Sequence, residues 1–347
     1  MIWKTSIGKL KKIYRIFDKF TGTLEPTFKV INLLYSKKLV LHATEGSAEL
    51  LMEEEEVQPF KGIYRLPLNV LKLVLQWGGD ESEVTLQLKE SDIVVSSKEE
   101  YLQVKNAASR SMIQVFEEGY TIAEMEKEGF LKNLDFASVC LEEGEKLEFV
   151  VYNHELLGIG PAGSLACIAK LGSSTFDRFI VGGIPYTTTR HLVKSLEFIE
   201  CGKLVMKLGE EYVHINAERF KYTLHLDVHG TRGILNLVEF AQLEEGININ
   251  ALKLLEFLKK AYTLHPRARI RMKALKECWE MKAYGGGGVY MTKLPYRLPF
   301  KGYVEVEVNR FRSALRRMKK NVKLACSGET LVFHAEGKYL VLKCFTR

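Results

Sequence analysis

A unit of one glycine, one short strand, one amphipathic helix and three more short strands occurs three times in this chain, and that repeat constrains the fold more than any other feature. The first copy reads GIYRLPLNVLKLVLQW and then EVTLQLKESDIVVSSKEEYLQVK. The second is GIPYTTTRHLVKSLEFIECGKLVMKLGEEYVHINAERFKYTLHL, and the third is GYVEVEVNRFRSALRRMKKNVKLACSGETLVFHAEGKYLVLKCF. The opening glycines, Gly62, Gly183 and Gly302, lie 121 and 119 residues apart, and Tyr101, Tyr222 and Tyr339 in the last strands lie 121 and 117 apart. A period near 120 residues belongs to whole domains, not to a solenoid. It predicts an α+β chain of three tandem domains, over 1–110, 111–235 and 236–347, and 347 residues are too many for one ordinary core.

The first half of each domain reads as a fainter copy of the same unit, which makes six half-domains. A helix over Ser6–Phe20 precedes FKVINLLYSKKLVLHATEGSAELLM, where apolar alternation and the turn at Ser36–Lys38 predict a hairpin. The parallel stretches are FASVCLEEGEKLEFVVYN from Phe136 and, after a helix over Ala251–Leu264, IRMKALKECWEMKAY from Ile270. The helix ahead of Phe136 is hard to place, because Thr121–Leu134 carries Glu124, Glu126 and Glu128 and only a ragged apolar stripe.

Charge is distributed unevenly over these elements. The predicted helices 6–20, 68–77, 188–200, 250–263 and 309–320 carry +4, +1, 0, +2 and +6, together +13 in a chain of net +7, which leaves −6 for everything else. Basic helices on an acidic body suit a polyanion held on one surface and repelled from the others. At about 100° per residue, Leu10, Ile13, Tyr14, Phe17 and Phe20 gather on one side of the first helix and Lys11, Lys12, Arg15 and Lys19 on the other. The last helix carries Arg310, Arg312, Arg316, Arg317, Lys319 and Lys320 with no acidic residue between Asn309 and Lys320. Lys72, Arg190, Lys194, Lys253, Lys259 and Lys260 are the candidate phosphate contacts of the helices between. No zinc-finger spacing, recognition helix or aromatic single-strand platform accompanies them, so the expected partner is double-stranded DNA held without regard to sequence.

Repeats of strand, helix and three strands, paired into three domains with basic helices, resemble the bacterial DNA sliding clamp, the beta subunit of the replicative polymerase. The resemblance covers essentially the whole chain and is one of pattern. It implies a closed ring of two three-domain subunits, with helices lining the hole and sheets outside. It also implies a polymerase processivity factor, bound by polymerases and the clamp loader through short peptides inserted between domains two and three. Asn153-His154-Glu155-Leu156 resembles the family's Gly-His-Arg-Leu, and Tyr339–Cys344 resembles its C-terminal Tyr-Val-Val-Met-Pro-Met. His154, Leu156, Leu157, Leu342 and Cys344 are thus the implied groove residues. Glu25-Pro26-Thr27-Phe28 stands where the family has Arg-Pro-Thr-Leu, and the family's Phe-Pro-Asp-Tyr has no counterpart near His229–Ile234. The family's subunit junction matches Glu99–Lys105 and Arg267–Leu275. Glu99, Glu100 and Tyr101 are then expected to face Arg267, Arg269 and Arg271 across paired edge strands of a homodimer.

Two other functions compete. Gly158-Ile-Gly160-Pro-Ala-Gly163 has the form of a dinucleotide fingerprint, which would make an oxidoreductase, but only Leu156 and Leu157 stand between Glu155 and the first glycine where a buried strand is needed. A structural DNA-binding protein of the same fold, never loaded as a polymerase tether, is the second. No catalytic triad, phosphate loop or metal-ligand spacing is present, so neither an enzyme nor a cofactor is expected, and Gly285–Gly288 reads as a hairpin turn. The six cysteines form no C-x-x-C pair and read as buried reduced thiols of a cytoplasmic protein. The N-terminus lacks the pattern of a secretory signal, and the longest uncharged stretch, Leu156–Ala169, is too short and too broken to span a bilayer.

Overall fold

The computed structural model describes residues 1–22, 29–54, 57–89, 92–106, 117–227, 233–241, 245–327 and 329–346, with Phe240 as backbone only. The stretch Glu25–Phe28 and residues 229–232 lie outside the described residues. The chain divides into two compact units, Met1–Lys127 with Arg190–Leu226 and Glu128–Thr189 with Asp227–Arg347.

Strand, helix and three strands follow one another six times. The first module is β1 (Ile2–Ser6), α1 (Ile7–Thr21), β2 (Val30–Ser36), β3 (Lys38–Thr44) and β4 (Ala48–Glu53). The second is β5 (Tyr64–Pro67), α2 (Leu68–Val74), β6 (Glu83–Lys89), β7 (Asp92–Ser96) and β8 (Tyr101–Lys105). The third is β9 (Tyr120–Glu126), α3 (Lys127–Ser138), β10 (Lys146–Tyr152), β11 (Glu155–Ala162) and β12 (Leu165–Ser173). The fourth is β13 (Arg178–Pro185), α4 (Tyr186–Leu196), β14 (Lys203–Leu208), β15 (Tyr212–Ala217) and β16 (Phe220–His225). A further helix, α5 (Ile234–Ala241), precedes the fifth: β17 (Ile247–Asn250), α6 (Leu252–Leu264), β18 (Arg269–Ala274), β19 (Trp279–Gly285) and β20 (Gly288–Leu294). The sixth is β21 (Tyr303–Glu307), α7 (Val308–Arg316), β22 (Asn321–Ser327), β23 (Thr330–Ala335) and β24 (Lys338–Phe345).

Every strand that leads into a helix finds a partner outside its own module. Each crosses to the adjacent module and pairs there antiparallel. In the first unit β1 pairs with β6, β5 with β2 and β9 with β14. In the second, β13 pairs with β10, β17 with β22 and β21 with β18. Last strands then join modules edge to edge. The β4–β16 junction, with Leu50 opposite Tyr222, completes β5-β2-β3-β4-β16-β15-β14-β9 in the first unit. The β12–β24 junction, with Ile168 opposite Tyr339, completes β13-β10-β11-β12-β24-β23-β22-β17 in the second.

Helices cover the sheets because their apolar stripes match the strands beneath. Ser6 caps α1 by accepting a hydrogen bond from the Lys9 amide at 3.2 Å, and Ile7, Leu10, Ile13, Ile16, Phe17 and Phe20 are buried along one side. Hairpin turns follow local chemistry. Asn153 and His154 both have positive φ, as do Gly286 and Gly287, the backbone a two-residue type I′ turn requires.

Three expectations are corrected. The α7 helix ends at Arg316, so Lys319 and Lys320 sit in the turn before β22 rather than on the helix. The ragged stripe over Thr121–Leu134 is the strand β9 running into α3, and period-2 burial read at helical spacing looks disordered. The β18 strand carrying Arg269 and Arg271 is paired on both sides, by β19 and β21, and is no edge. The glycine fingerprint, argued against in sequence, belongs to β11 and the turn into antiparallel β12, so it opens no helix that could hold a pyrophosphate.

Gly160 instead permits close packing. A Cβ built there would lie 1.9 Å from the Ala137 carbonyl oxygen at the end of α3. Gly160→Ala should therefore cost at least about 2 kcal/mol in denaturant unfolding, because backbone must move. Gly202→Ala, where a Cβ meets nothing within 4 Å, should change stability by less than about 0.5 kcal/mol.

Candidate nucleic-acid interface and docking face

Burying one stripe of each helix leaves its cations on the other. In the first unit Lys12, Arg15 and Lys19 on α1, Lys72 on α2, and Arg190 and Lys194 on α4 are exposed. Lys11 lies partly covered, 2.6 Å from Asp80, whose carboxyl its ammonium holds below the usual carboxylate range. Lys12 meets Glu200 at 2.9 Å and lowers that carboxyl in the same way. In the second unit Lys253, Lys259 and Lys260 on α6 are exposed, as are Arg316 and, beyond α7, Lys320.

The remaining candidate cations of the sixth module, Arg310, Arg312, Arg317 and Lys319, are engaged. Arg310 is turned into the body, its side chain 16% exposed, with guanidinium contacts of 2.8 Å to Glu145 and 3.0 Å to Glu142. Arg312 lies over the Tyr262 ring at 4.4 Å. Arg317 donates to Asp135 at 2.6 Å, and Lys319 pairs with Glu336.

A second feature lies on the β12–β24 junction. Val150, Leu157, Ile159, Ala166, Ile168, Ala325, Val332 and Val341 form one apolar surface, and α5 covers it with Ile234, Val238 and Ala241. The spacing i, i+4, i+7 is a helical stripe that the sequence reading overlooked. Leu235, Leu237, Tyr152 and Tyr339 rim the contact, half-buried. Arg178 ties α5 to β13 through Glu239 at 2.7 Å and stacks over Tyr152 at 5.3 Å.

Of the implied groove residues, only Leu157 joins this surface. His154 is exposed in the β10–β11 turn. Leu156 and Leu342 alternate with Leu157 and Val341 along their strands and are fully buried, outside that cluster. Cys344 is buried where β24 meets β21, and burial pushes its thiol up to about 12.

The implied junction residues also separate. Arg269 and Arg271 are held by Glu305 of the neighbouring β21, at 3.2 and 2.9 Å, and Arg267 is exposed ahead of β18. Glu99 and Glu100 sit in the turn before β8, where the Ser97 hydroxyl accepts from both amides. Tyr101 begins β8 and is 63% exposed.

Among the described residues no group of His, Cys, Asp and Glu could hold a metal, and no helix is long and apolar enough to cross a membrane. No protein-family model matches the sequence, and no curated protein matches it significantly. Solved structures do match over the whole chain. The DNA polymerase III subunit beta of Pseudomonas aeruginosa aligns with a TM-score of 0.79 at 14% identity, covering 99% of each chain. The Helicobacter pylori beta clamp bound to a DNA ligase peptide aligns at 0.73 and 12%, covering 100% of both. The DNA polymerase III beta subunit of Thermotoga maritima aligns at 0.74 and 10%, covering 100% of this chain and 99% of that one. The chain has the fold of the bacterial sliding clamps.

If α5 is held by its apolar stripe, Ile234→Asp with Val238→Asp should release it. The uncovered surface should then raise the fluorescence of an apolar-surface dye severalfold while amides of β11, β12 and β24 stay protected. Unchanged fluorescence would mean that α5 remains in place despite two buried carboxylates.

Proposed function

We propose that this chain is a sliding clamp: a non-enzymatic cytoplasmic protein whose homodimeric ring encircles duplex DNA and tethers polymerases to it. Three tandem domains of two modules each, near the divisions 1–110, 111–235 and 236–347, would supply half the ring per subunit. The observation that carries the reading is the fate of the last strand of each module. Four of the six are joined in pairs, β4 to β16 and β12 to β24. The other two, β8 and β20, each have a single strand neighbour among the described residues. Both edges expose apolar side chains, Tyr101 on β8 and Val289 and Met291 on β20, at 63, 64 and 53%. Unpaired apolar edges invite another chain, and joining β8 of one copy to β20 of the next repeats a contact the chain already makes twice. In that antiparallel pairing Glu99 and Glu100 would approach Lys293, at the end of β20, rather than Arg269 and Arg271.

The exposed cations of the helices support the DNA reading. Without base-reading side chains they would hold phosphate by charge alone, which permits sliding. The sheet surface beside α5 is the natural place for short apolar partner peptides of a polymerase or loader.

Sedimentation at micromolar concentration should give twice the monomer mass, and Val289→Lys with Met291→Lys should give monomers. A wild-type monomer would remove the ring. Once loaded, the protein should stay on closed circular DNA and leave when the circle is cut. Equal retention on linear DNA would instead favour a structural DNA-binding protein. Lys259→Glu, Lys260→Glu and Arg316→Glu together should weaken duplex binding at least tenfold and flatten its salt dependence by about three units of slope per subunit. Arg310→Gln should leave that slope unchanged, because its charge is spent on Glu142 and Glu145.

A further inference from the structure

Two cysteines that stand 27 residues apart in sequence meet in the core of the second unit. Cys140, in the turn that ends α3, places its sulfur 2.8 Å from that of Cys167 in the middle of β12. Both are buried, at 1 and 0% exposure.

The glycine motif brings them together. The last turn of α3 lies directly on the backbone of β11, because Gly158 and Gly160 present no side chain there. A Cβ would come 3.4 Å from the Ala137 Cβ at Gly158 and 1.9 Å from the Ala137 carbonyl at Gly160. Gly160 is the register partner of Cys167 on the adjacent strand. A helix end seated over Gly160 therefore delivers the residue that follows it, Cys140, onto Cys167. The turn is fixed by hydrogen bonds from the Val139 amide to Phe136 and the Leu141 amide to Ser138, at 3.2 and 3.0 Å.

We propose that Cys140 and Cys167 close a disulfide that links α3 to β12. The sulfurs must approach from 2.8 Å to about 2.0 Å. The reaction needs a two-electron oxidant such as hydrogen peroxide. One sulfur attacks a peroxide oxygen, breaking the O–O bond to give a sulfenic acid and one water. The second sulfur then displaces the sulfenic oxygen, which leaves as a second water, while the two thiol protons end on those waters. Burial holds the Cys167 thiol well above its ordinary value, so the folded pair offers little thiolate and oxidises slowly. The bond forms during folding, as α3 settles on the sheet but before packing excludes the oxidant, and afterwards packing shields it from reductants. Its consequence reaches the docking face, since Ala166 and Ile168, on either side of Cys167, lie beneath α5.

The test uses the full chain, unfolded in denaturant and refolded either with hydrogen peroxide at equimolar amount or with a phosphine reductant. Both samples are then alkylated in denaturant and weighed whole and as peptides. The oxidised sample should show four alkylated cysteines of the six, and one cross-linked peptide pair carrying Cys140 and Cys167. It should also melt on the order of 5 °C higher, a shift that reduction abolishes. Six alkylated cysteines after oxidative refolding would overturn the proposal, as would a bridge that leaves Cys140 and Cys167 alkylated. Cys140→Ser and Cys167→Ser should each lose the cross-link and the melting shift. Should either fail to fold, the wild-type masses alone decide.

Discussion

Strand exchange between modules is the constraint on which the rest of the structure depends. A module of one strand, one helix and three strands cannot close its own sheet, because its leading strand is donated elsewhere. β1 lies on β6 and β5 on β2, so neither module of that pair is complete without the other. Each donated strand also fixes where its helix begins: β1 runs straight into α1 at Ser6–Ile7 and β5 into α2 at Pro67–Leu68. Helix position is thereby set by sheet pairing. A cation on a helix surface is held in register with cations elsewhere in its unit through the hydrogen-bond ladders beneath.

The β4–β16 junction shows what such an edge-to-edge joint requires. Glu54, just past β4, has a side chain with no exposure, yet it is ionically paired with Lys9 of α1 at 2.6 Å and with Arg219 of the β15–β16 turn at 3.2 Å. The Glu53 amide donates to the Arg219 carbonyl at 2.9 Å beside it. A buried carboxylate between two cations gives the joint a fixed register, whereas an apolar joint alone could slip. Lys9 is therefore a structural cation, although it stands among Lys11, Lys12 and Arg15 in sequence. His191 is similar. Its Nδ1 lies 2.7 Å from Glu45, and its ring fills the space that a side chain at residue 22 would need, which explains a glycine at the end of α1.

The sequence was most legible where periodicity was undisturbed. The period near 120 residues and the stripes of α1 and α6 follow from composition and spacing alone, and the structure has those helices within two residues of the expected ends. Less could be read where two periods abut, as at β9 and α3, or where an element has no repeat to compare it with, as α5 has none. Edges were the least legible. The resemblance put an edge at Arg267–Leu275, where alternating arginines suit a rim, but a strand between two others can also alternate when its charges meet a neighbour such as Glu305. The β20 strand, with a single strand neighbour among the described residues, carries Val289 and Met291, apolar residues of a kind that interior strands also carry. Nothing local distinguishes an apolar edge from an interior strand, because the difference lies in which other strands pair with it.

Pairing also changes how the basic helices should be counted. Lys11, Lys12, Arg317 and Lys319 each have a carboxylate partner at the surface: Asp80, Glu200, Asp135 and Glu336. Exposed pairs of this kind contribute little to stability, since water screens them and two long side chains must be held still. They matter more as counter-ions built into the chain. A polyanion that approaches such a lysine must displace a tethered carboxylate instead of releasing a free ion, and a tethered group contributes no dilution entropy when displaced. The salt dependence of polyanion binding should therefore follow the exposed cations without carboxylate contacts among the described residues, chiefly Lys259, Lys260 and Arg316 in the second unit, and not the formal charge of the helices. Self-paired cations would then set the resting charge of the surface, and the exposed ones would set its response to salt.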